Sequence, residues 1–470
     1  MGKILLGGMA IGLTLALATS VMAVDWSATG YIYAGSAYYK NISNGTGLPL
    51  PTNAGWNQDN FWFQMRLRAM LTARANDDLY GVFYIESDST RWGEAEAANP
   101  SGTIGKWNAD AVAVEVKNLY IDFRVPPKLP IWIRAGIQGI KIRDNVFLSD
   151  DGAGITARIK IDPINLNINP MYMKRWEGQD FTEADDRDIY AIDVNMPAGP
   201  VKLGAYFLWD EARHWPTIAD YGHLWWLGAY SDGKIGPVQY NFDFSYSGGR
   251  IDYAATPDVE YKGWLIRAVA TYTQNRLAVG VGGWYSSGND VRTNDYEGFA
   301  LIEGRSEAPG APNDDTLILM GDWFGTGGMT TAPSFVGTYG NYGVAGITAP
   351  ATGSQFGGFW YLRAFTYYQL FSWLKLGFQV AYIGDTTKHG DTFGTARKAP
   401  FGAADLDDNS GIGWEFDIGA NITIYENLTY NLGFGYLVAG GALDQWNASS
   451  GRNNSPHDPW AFITRLAYTF

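Results

Sequence analysis

The sequence predicts an all-β chain, a transmembrane antiparallel β-barrel of about eighteen strands with short turns at one rim and long loops at the other. Three observations carry this prediction. The chain ends on an alternating strip of large and small side chains. It begins with an export signal. Between the two, alternating segments are joined by connections that are short and long in strict turn.

The terminal strip runs from Trp460 to Phe470. Large or β-competent side chains occupy the even positions, among them Trp460, Phe462, Leu466, Tyr468 and Phe470. The odd positions hold Ala461, Arg465, Ala467 and Thr469, with Ile463 the one apolar intruder. A period of two means a strand with two unlike faces. In an outer-membrane barrel the apolar face meets lipid and the aromatic end joins the interfacial girdle. The last strand of a soluble β-sandwich would alternate in the same way, so the strip alone leaves both folds open.

Residues 1–23 read as a signal peptide. Lys3 is the single charge, an apolar stretch runs from Ile4 to Leu17, and Val21-Met22-Ala23 loosely fits a small-x-small cleavage site. The mature chain, 24–470, then forms one barrel domain. The rest of the chain lacks an apolar run near 18 residues, so no helix is expected to span a membrane. Its mean hydropathy is −0.16. A barrel hides its membrane character because lipid-facing and lumen-facing residues average out. The chain has no cysteine, and a closed ladder needs no disulfide framework. The net charge is −14, and −15 without Lys3, which argues against nucleic acid as a partner.

The short connections are centred on Asn76-Asp77-Asp78, Pro126-Pro127-Lys128, Asp162-Pro163-Ile164, Pro197-Ala198-Gly199-Pro200, Asp232-Gly233-Lys234, Gln274-Asn275, Phe371-Ser372 and Glu426-Asn427. The long ones are 41–59, 90–109, 139–153, 177–187, 210–222, 249–259, 288–357, 387–410 and 439–459. Short periplasmic turns and long outer loops are the rule in outer-membrane barrels, whereas a sandwich has no reason to keep it. Eight turns and nine loops join eighteen strands, expected near 26–40, 60–75, 79–89, 111–125, 130–138, 154–162, 164–176, 188–196, 200–209, 223–231, 236–248, 260–273, 276–287, 358–370, 373–386, 411–425, 428–438 and 460–470. Segment 288–357 is the ambiguous one. Phe299-Ala300-Leu301-Ile302 and Thr316-Leu317-Ile318-Leu319-Met320 are compatible with a hairpin inside a loop or with two more wall strands, so sixteen or twenty strands also fit.

Alternation assigns the faces. In 60–75, Phe61, Phe63, Met65, Leu67 and Leu71 face lipid, while Trp62, Gln64, Arg66, Arg68, Thr72 and Arg74 face the lumen. In 130–138, Ile131, Ile133 and Ile137 point out and Arg134 and Gln138 point in. In 154–162, Ile155, Ile159 and Ile161 point out and Arg158 and Lys160 point in. In 411–425, Trp414, Phe416, Ile418, Ile422 and Ile424 point out, and Glu415, Asp417, Asn421 and Thr423 point in. An arginine or lysine facing lipid at the bilayer midplane costs about 2–4 kcal/mol, which decides the inward assignment. Strand 111–125 breaks the rule, because Glu115 and Lys117 share parity with Leu119, Ile121 and Phe123. A bulge or a covered outer face at a subunit contact would account for it.

The signal peptide, the alternating turns and loops, and the ending Leu466-Ala467-Tyr468-Thr469-Phe470 resemble a trimeric outer-membrane porin of Gram-negative bacteria. The strand Tyr120-Ile121-Asp122-Phe123, its turn, and Ile133-Arg134-Ala135-Gly136-Ile137-Gln138 are most similar to the homotrimeric porins of sulfate-reducing and related bacteria. The resemblance implies a homotrimer in outer-membrane lipid and lipopolysaccharide, passing ions and small hydrophilic solutes by passive diffusion. It implies that Phe470, with Tyr468 and Leu466, ends the signal read by the outer-membrane assembly machinery. It also implies that the loop after the fifth strand, here Gly139 to Gly152, folds into the lumen as the constriction. The short acidic-glycine motif of enterobacterial porins is not reproduced, so individual roles in the constriction follow from position only.

Selectivity at a constriction follows from its diameter and its charges. Arg66, Arg68, Arg134, Arg158 and Lys160 are the expected basic wall. Asp144, Asp150 and Asp151 on the loop, with Lys141 and Arg143 beside them, are expected to oppose it. The plainer alternative is that these arginines only fill a polar lumen and pair with the loop. No cofactor is expected. Asp405, Asp407 and Asn409 space oxygen ligands somewhat like a calcium loop, but Gly411 falls late and Phe416 sits where a bidentate glutamate belongs, so a solvated acidic loop is the simpler reading. His214-Trp215-Pro216 and His223-Leu224-Trp225-Trp226 read as girdle, or else as a sugar-stacking platform. A substrate-selective channel for sugars, organic acids or anions is the alternative function. An outer-membrane enzyme or adhesin is the third, but no GxSxG, HExxH or Walker motif occurs in the sequence.

Overall fold

A computed structural model describes residues 24–41, 59–92, 114–143, 146–177, 186–212, 219–253, 257–290, 292–300, 315–319, 323–324, 358–389, 409–443, 445–447, 452–454 and 457–470. The signal peptide, Asp144, His214, Asp405 and Asp407 lie outside them.

The eighteen expected strands form in the expected order. They are β1 (Asp25–Lys40), β2 (Asp59–Asn76), β3 (Leu79–Arg91), β4 (Glu115–Arg124), β5 (Ile131–Ile142), β6 (Leu148–Ile161), β7 (Leu166–Trp176), β8 (Arg187–Ala198), β9 (Val201–Ala212), β10 (Ala219–Ile235), β11 (Val238–Tyr253), β12 (Val259–Gln274), β13 (Leu277–Ser286), β14 (Phe359–Phe371), β15 (Leu374–Asp385), β16 (Gly411–Tyr425), β17 (Leu428–Ala439) and β18 (Trp460–Thr469). Each pairs antiparallel with its neighbours in sequence, and β18 closes on β1, so the sheet keeps no free edge. Phe470 extends this seam by exchanging two main-chain hydrogen bonds with Gly30, of 2.9 and 3.0 Å. Closure satisfies the ladder without a disulfide, as a membrane interior requires.

Outside, the wall is a band of exposed apolar side chains. Phe61, Leu119, Ile121, Ile155, Leu227, Leu362, Ile418, Phe462, Leu466, Tyr468 and Phe470 all lie on it. So continuous an apolar surface suits lipid. Inside, the same strands turn polar and aromatic groups inward. Gln64, Asp122, Gln138, Glu415 and Ile463 are fully buried there, and Arg465 lies over the ring of Tyr33.

The anomaly in the fourth strand is a bulge. Tyr84 pairs with Asn118 but Ile85 pairs with Val116, which leaves Lys117 as the extra residue. Its side chain can therefore turn inward while Val116 and Leu119 both stay on the apolar face.

Two segments from the long-loop rim enter the lumen. The first is the β5–β6 hairpin. Its ladder continues past Gln138 as far as Ile142 opposite Leu148, so 139–153 is mostly strand and not the polar loop expected. Arg143 makes the turn with a φ of 50°, and the amides of Val146 and Phe147 bond its carbonyl. The second segment belongs to 288–357. Among the described residues it adds no wall strand and no hairpin. Phe299 and Ala300 pack inside β10 and β11, and residues 315–319 with Trp323 and Phe324 run down the inner face of β14–β17 as a strap.

Candidate functional site

The first inserted segment is held by the inner wall at β9, β10 and β11. Alternation along β5 and β6 puts Ile140, Ile142 and Leu148 on one buried side of the hairpin, with Val146 and Phe147 at its tip. Phe147 stacks on Tyr206 of β9 at 4.5 Å and tilts against Trp226 of β10. Arg143 supplies the polar anchor. Its Nη1 and Nη2 donate to the Asp232 carboxylate of β10 at 2.6 and 2.9 Å, its Nε donates to Asp243 of β11, and its guanidinium lies over Tyr230 at 4.3 Å. Burial opposes the charge of Arg143, but the two carboxylates outweigh it and hold the group protonated above its ordinary value. A charged pair made this well, with the planar fork satisfied on two sides, offsets its own desolvation.

The strap is held by carboxylates rather than by a ladder. The main-chain N–H groups of Ile318 and Leu319 donate to Glu415, and that of Leu317 donates to Asp417 at 3.3 Å. Asp315 accepts from Arg267 at 3.3 and 3.4 Å, from Arg363 and from the Tyr361 hydroxyl. Its own carbonyl accepts from Arg363 at 3.0 Å and from Gln379 at 2.8 Å. The wall is hollowed to receive the segment. A Cβ on Gly435 would stand 3.0 Å from both Leu317 and Ile318, and one on Gly419 would stand 2.9 Å from Trp323 and Phe324.

The expected basic wall divides into two clusters, each with its own acid. Arg66 and Arg68 both meet Glu86, at 2.8 and 2.9 Å, and Lys117 joins them at 3.4 Å. Lys117 also bonds Asp151 of the hairpin, which accepts from Asn118 at 2.9 Å as well. This cluster is buried; the side chains of Arg66 and Arg68 are only 4% and 10% exposed. Arg134 and Arg158 share Asp122, each at 2.8 Å, and Arg134 lies over Tyr120. Here the charge reaches water, since Arg158 is 44% and Lys160 59% exposed. Lys160 pairs with Asp162 at 2.7 Å. Asp150 accepts from the amide of Asp151, and Lys141 stays exposed on β5 opposite Ser149.

Of the acids expected to oppose that wall from the loop, Asp151 reaches the first cluster through Lys117, and Asp144 lies outside the described residues. The wall arginines are balanced by acids of neighbouring strands, because the register sets Glu86 opposite Arg68 and Asp122 opposite Arg134. At the hairpin tip the sign is reversed, with a basic loop residue, Arg143, on an acidic wall. Sequence reasoning missed Glu86, Asp122, Asp232, Asp243, Arg267, Asp315 and Arg363. The inward parity of those on expected strands was readable but their lateral partners were not, while Asp232 fell in an expected turn and Asp315 in the ambiguous segment 288–357. Asn409, from the weak calcium candidate, uses its side-chain oxygen to accept from the Gly411 amide.

A cavity of about 400 Å³ opens beside the exposed cluster, near the turns that end β4 and β6. Arg124, Trp132, Arg158, Lys160, Asn167 and Asn169 line it.

No protein-family model matches the sequence, and no curated protein matches it. Solved structures do match in shape. Those of Pseudomonas aeruginosa OpdQ (10% identity, TM-score 0.53), OpdL (13%, 0.52) and OccK8, also called OprE (11%, 0.50), are similar over nearly the whole length. Each alignment covers 95% of this chain; it covers 98% of OpdQ, 99% of OpdL and 98% of OccK8. At these identities the likeness speaks for the fold, which is the closed eighteen-stranded barrel of outer-membrane porins.

Proposed function

We propose that the protein is an outer-membrane channel that passes ions and small hydrophilic solutes by passive diffusion, without enzymatic chemistry. The observation that carries this reading is the contrast between the two faces of one closed wall. The outer face is an apolar band, while the inner face carries an exposed charged track of Arg134, Arg158 and Lys160 beside two inserted segments. A barrel with that contrast places polar groups where water can reach them and apolar groups where lipid can. Narrowing by charged segments sets what passes. In this reading residues 1–23 are removed on export, the barrel sits in lipid and lipopolysaccharide as a homotrimer, and Phe470 is read by the assembly machinery. Purified, refolded protein added to a planar lipid bilayer should give discrete current steps in simple salt. Membranes that stay silent although the protein has inserted would overturn the reading.

One observation favours a substrate-selective form of the same channel. The 400 Å³ cavity sets three cationic side chains, two amides and one carboxylate, that of Asp162 paired with Lys160, around Trp132, which leaves the lining net positive. That combination suits an anion with a flat apolar body, held by charge-assisted bonds and by the ring. Saturable block of the current by one class of organic anions, and not by sugars, would separate this reading from general diffusion.

A further inference from the structure

The anchors of the two inserted segments are not separate. Arg143, at the hairpin tip, donates to Asp243. The other oxygen of Asp243 lies 3.9 Å from Nη1 of Arg267. The same guanidinium turns its Nε and Nη2 to Asp315, the anchor of the strap. A continuous line of alternating charge therefore runs along the inner wall over β10, β11, β12 and β14, from Asp232 through Arg143, Asp243, Arg267 and Asp315 to Arg363. The inner members are nearly sealed from water, with side-chain exposures of 4% for Asp243, 13% for Arg267, 2% for Asp315 and 5% for Arg363.

We infer that the hairpin and the strap dock as one cooperative unit, each stabilising the other through Asp243 and Arg267. The sign follows from the charges. If the strap leaves, Arg267 loses the carboxylate of Asp315, and Asp243 is the acid still beside it. Arg267 then competes with Arg143 for Asp243 and adds unbalanced positive charge next to it, which weakens the hairpin's hold. If the hairpin leaves, one oxygen of Asp243 loses its guanidinium. That oxygen draws Arg267 away from Asp315, which weakens the strap. Screening by water is poor at such exposures, so the loss is felt between the groups. Reciprocity is required of any such coupling. Both segments narrow the same lumen, so a coupled pair gives a channel with two principal states, both segments docked or both released, in place of four.

The inference rests on the channel reading for its meaning, but its test does not need current. The chain has no cysteine, so a single introduced thiol reports on one place. Val146→Cys at the buried hairpin tip and Leu317→Cys in the buried strap are to be labelled with a small charged methanethiosulfonate in detergent-folded protein. Asp315→Asn should speed labelling of the hairpin thiol at least fivefold. Arg143→Gln should do the same for the strap thiol. In an Arg267→Gln background both cross-effects should shrink below twofold. If each anchor variant exposes only its own segment, the coupling is refuted, and the channel reading stands untouched. Heat-dependent gel mobility reports whether each barrel has folded. Should Asp315→Asn not fold, Tyr361→Phe removes one bond to the same carboxylate and is to be read in the same way.

Discussion

Neutralising Arg158 should change which ions the channel prefers, and neutralising two other arginines should not. Arg158 and Arg134 share the single charge of Asp122, so the cluster carries one net positive charge and presents it to water through Arg158. Arg158→Gln leaves the Arg134–Asp122 pair intact and brings that net charge to zero. One unit charge about 4 Å from a passing ion is worth about 1 kcal/mol in bulk water. At about 1.36 kcal/mol per tenfold, that is about a fivefold loss of anion occupancy near the site. The screening length is about 10 Å at 0.1 M salt and about 3 Å at 1 M, so the effect should fade as salt rises. The double variant Arg66→Gln with Arg68→Gln is the contrast. Those side chains are buried against Glu86, so their loss should barely move the preference while leaving Glu86 and Asp151 to share Lys117, with one buried acid in excess. Stranding a buried charge costs about 3–5 kcal/mol, which should lower the temperature at which the barrel unfolds on a gel. Reversal potentials in a salt gradient across a planar bilayer measure the preference. A shift from the buried pair and none from Arg158→Gln would mean that solutes do not follow the exposed track.

Gly435→Val fills the hollow that seats Leu317 and Ile318, so it should expel the strap and raise single-channel conductance; an unchanged conductance with the barrel folded would show that the hollow is not a seat. The overpacking itself should cost about 1–3 kcal/mol. Phe147→Ala removes the stack on Tyr206, at about 3–5 kcal/mol for a buried phenylalanine, and should make the current noisier as the hairpin undocks. Burial pushes the Asp315 carboxyl up, but the guanidinium groups of Arg267 and Arg363 outweigh it and hold it below its usual value. A lowered folded-state value contributes stability that is complete above the unfolded value of about 3.9 and is lost as pH falls through the lower one. The Asp315 contribution to seating the strap should therefore be constant between about pH 7 and 5 and be lost only below about pH 4, so Asp315→Asn should change conductance equally at about pH 7 and about pH 5; an effect confined to one of these two pH values would place the latch elsewhere. Deleting Phe470 removes two main-chain bonds to Gly30 and should reduce insertion in cells far more than the conductance of barrels that do assemble. Normal surface levels would count against its role in assembly.

The strands were legible because two independent signals agreed. Alternation set the faces, and turn residues set the ends, so eighteen strands fell where expected. At β4 the broken parity of Lys117 even announced the bulge. The inserted segments were less legible for different reasons. In 139–153 the charges drew attention, yet Ile140 and Ile142 continue the alternation of β5 and signalled that the ladder runs on. The strap carries apolar residues like a wall strand, but its amides bond side-chain carboxylates, and no local pattern records that. The partners of the arginines were invisible because they depend on register between strands and, at the hairpin tip, on contact with β10 and β11.

Arg143 also has a mechanical meaning. Eighteen strands enclose a wide and hollow cylinder, and a hollow cylinder flattens more readily than it stretches. The hairpin ties the β5–β6 wall to β10 and β11, five strands further round, by three charge-assisted bonds at a single residue. It works as a strut that holds one chord of the cross-section against the lateral pressure of the bilayer. Removing it would then alter the outline of the barrel as well as the width of its passage.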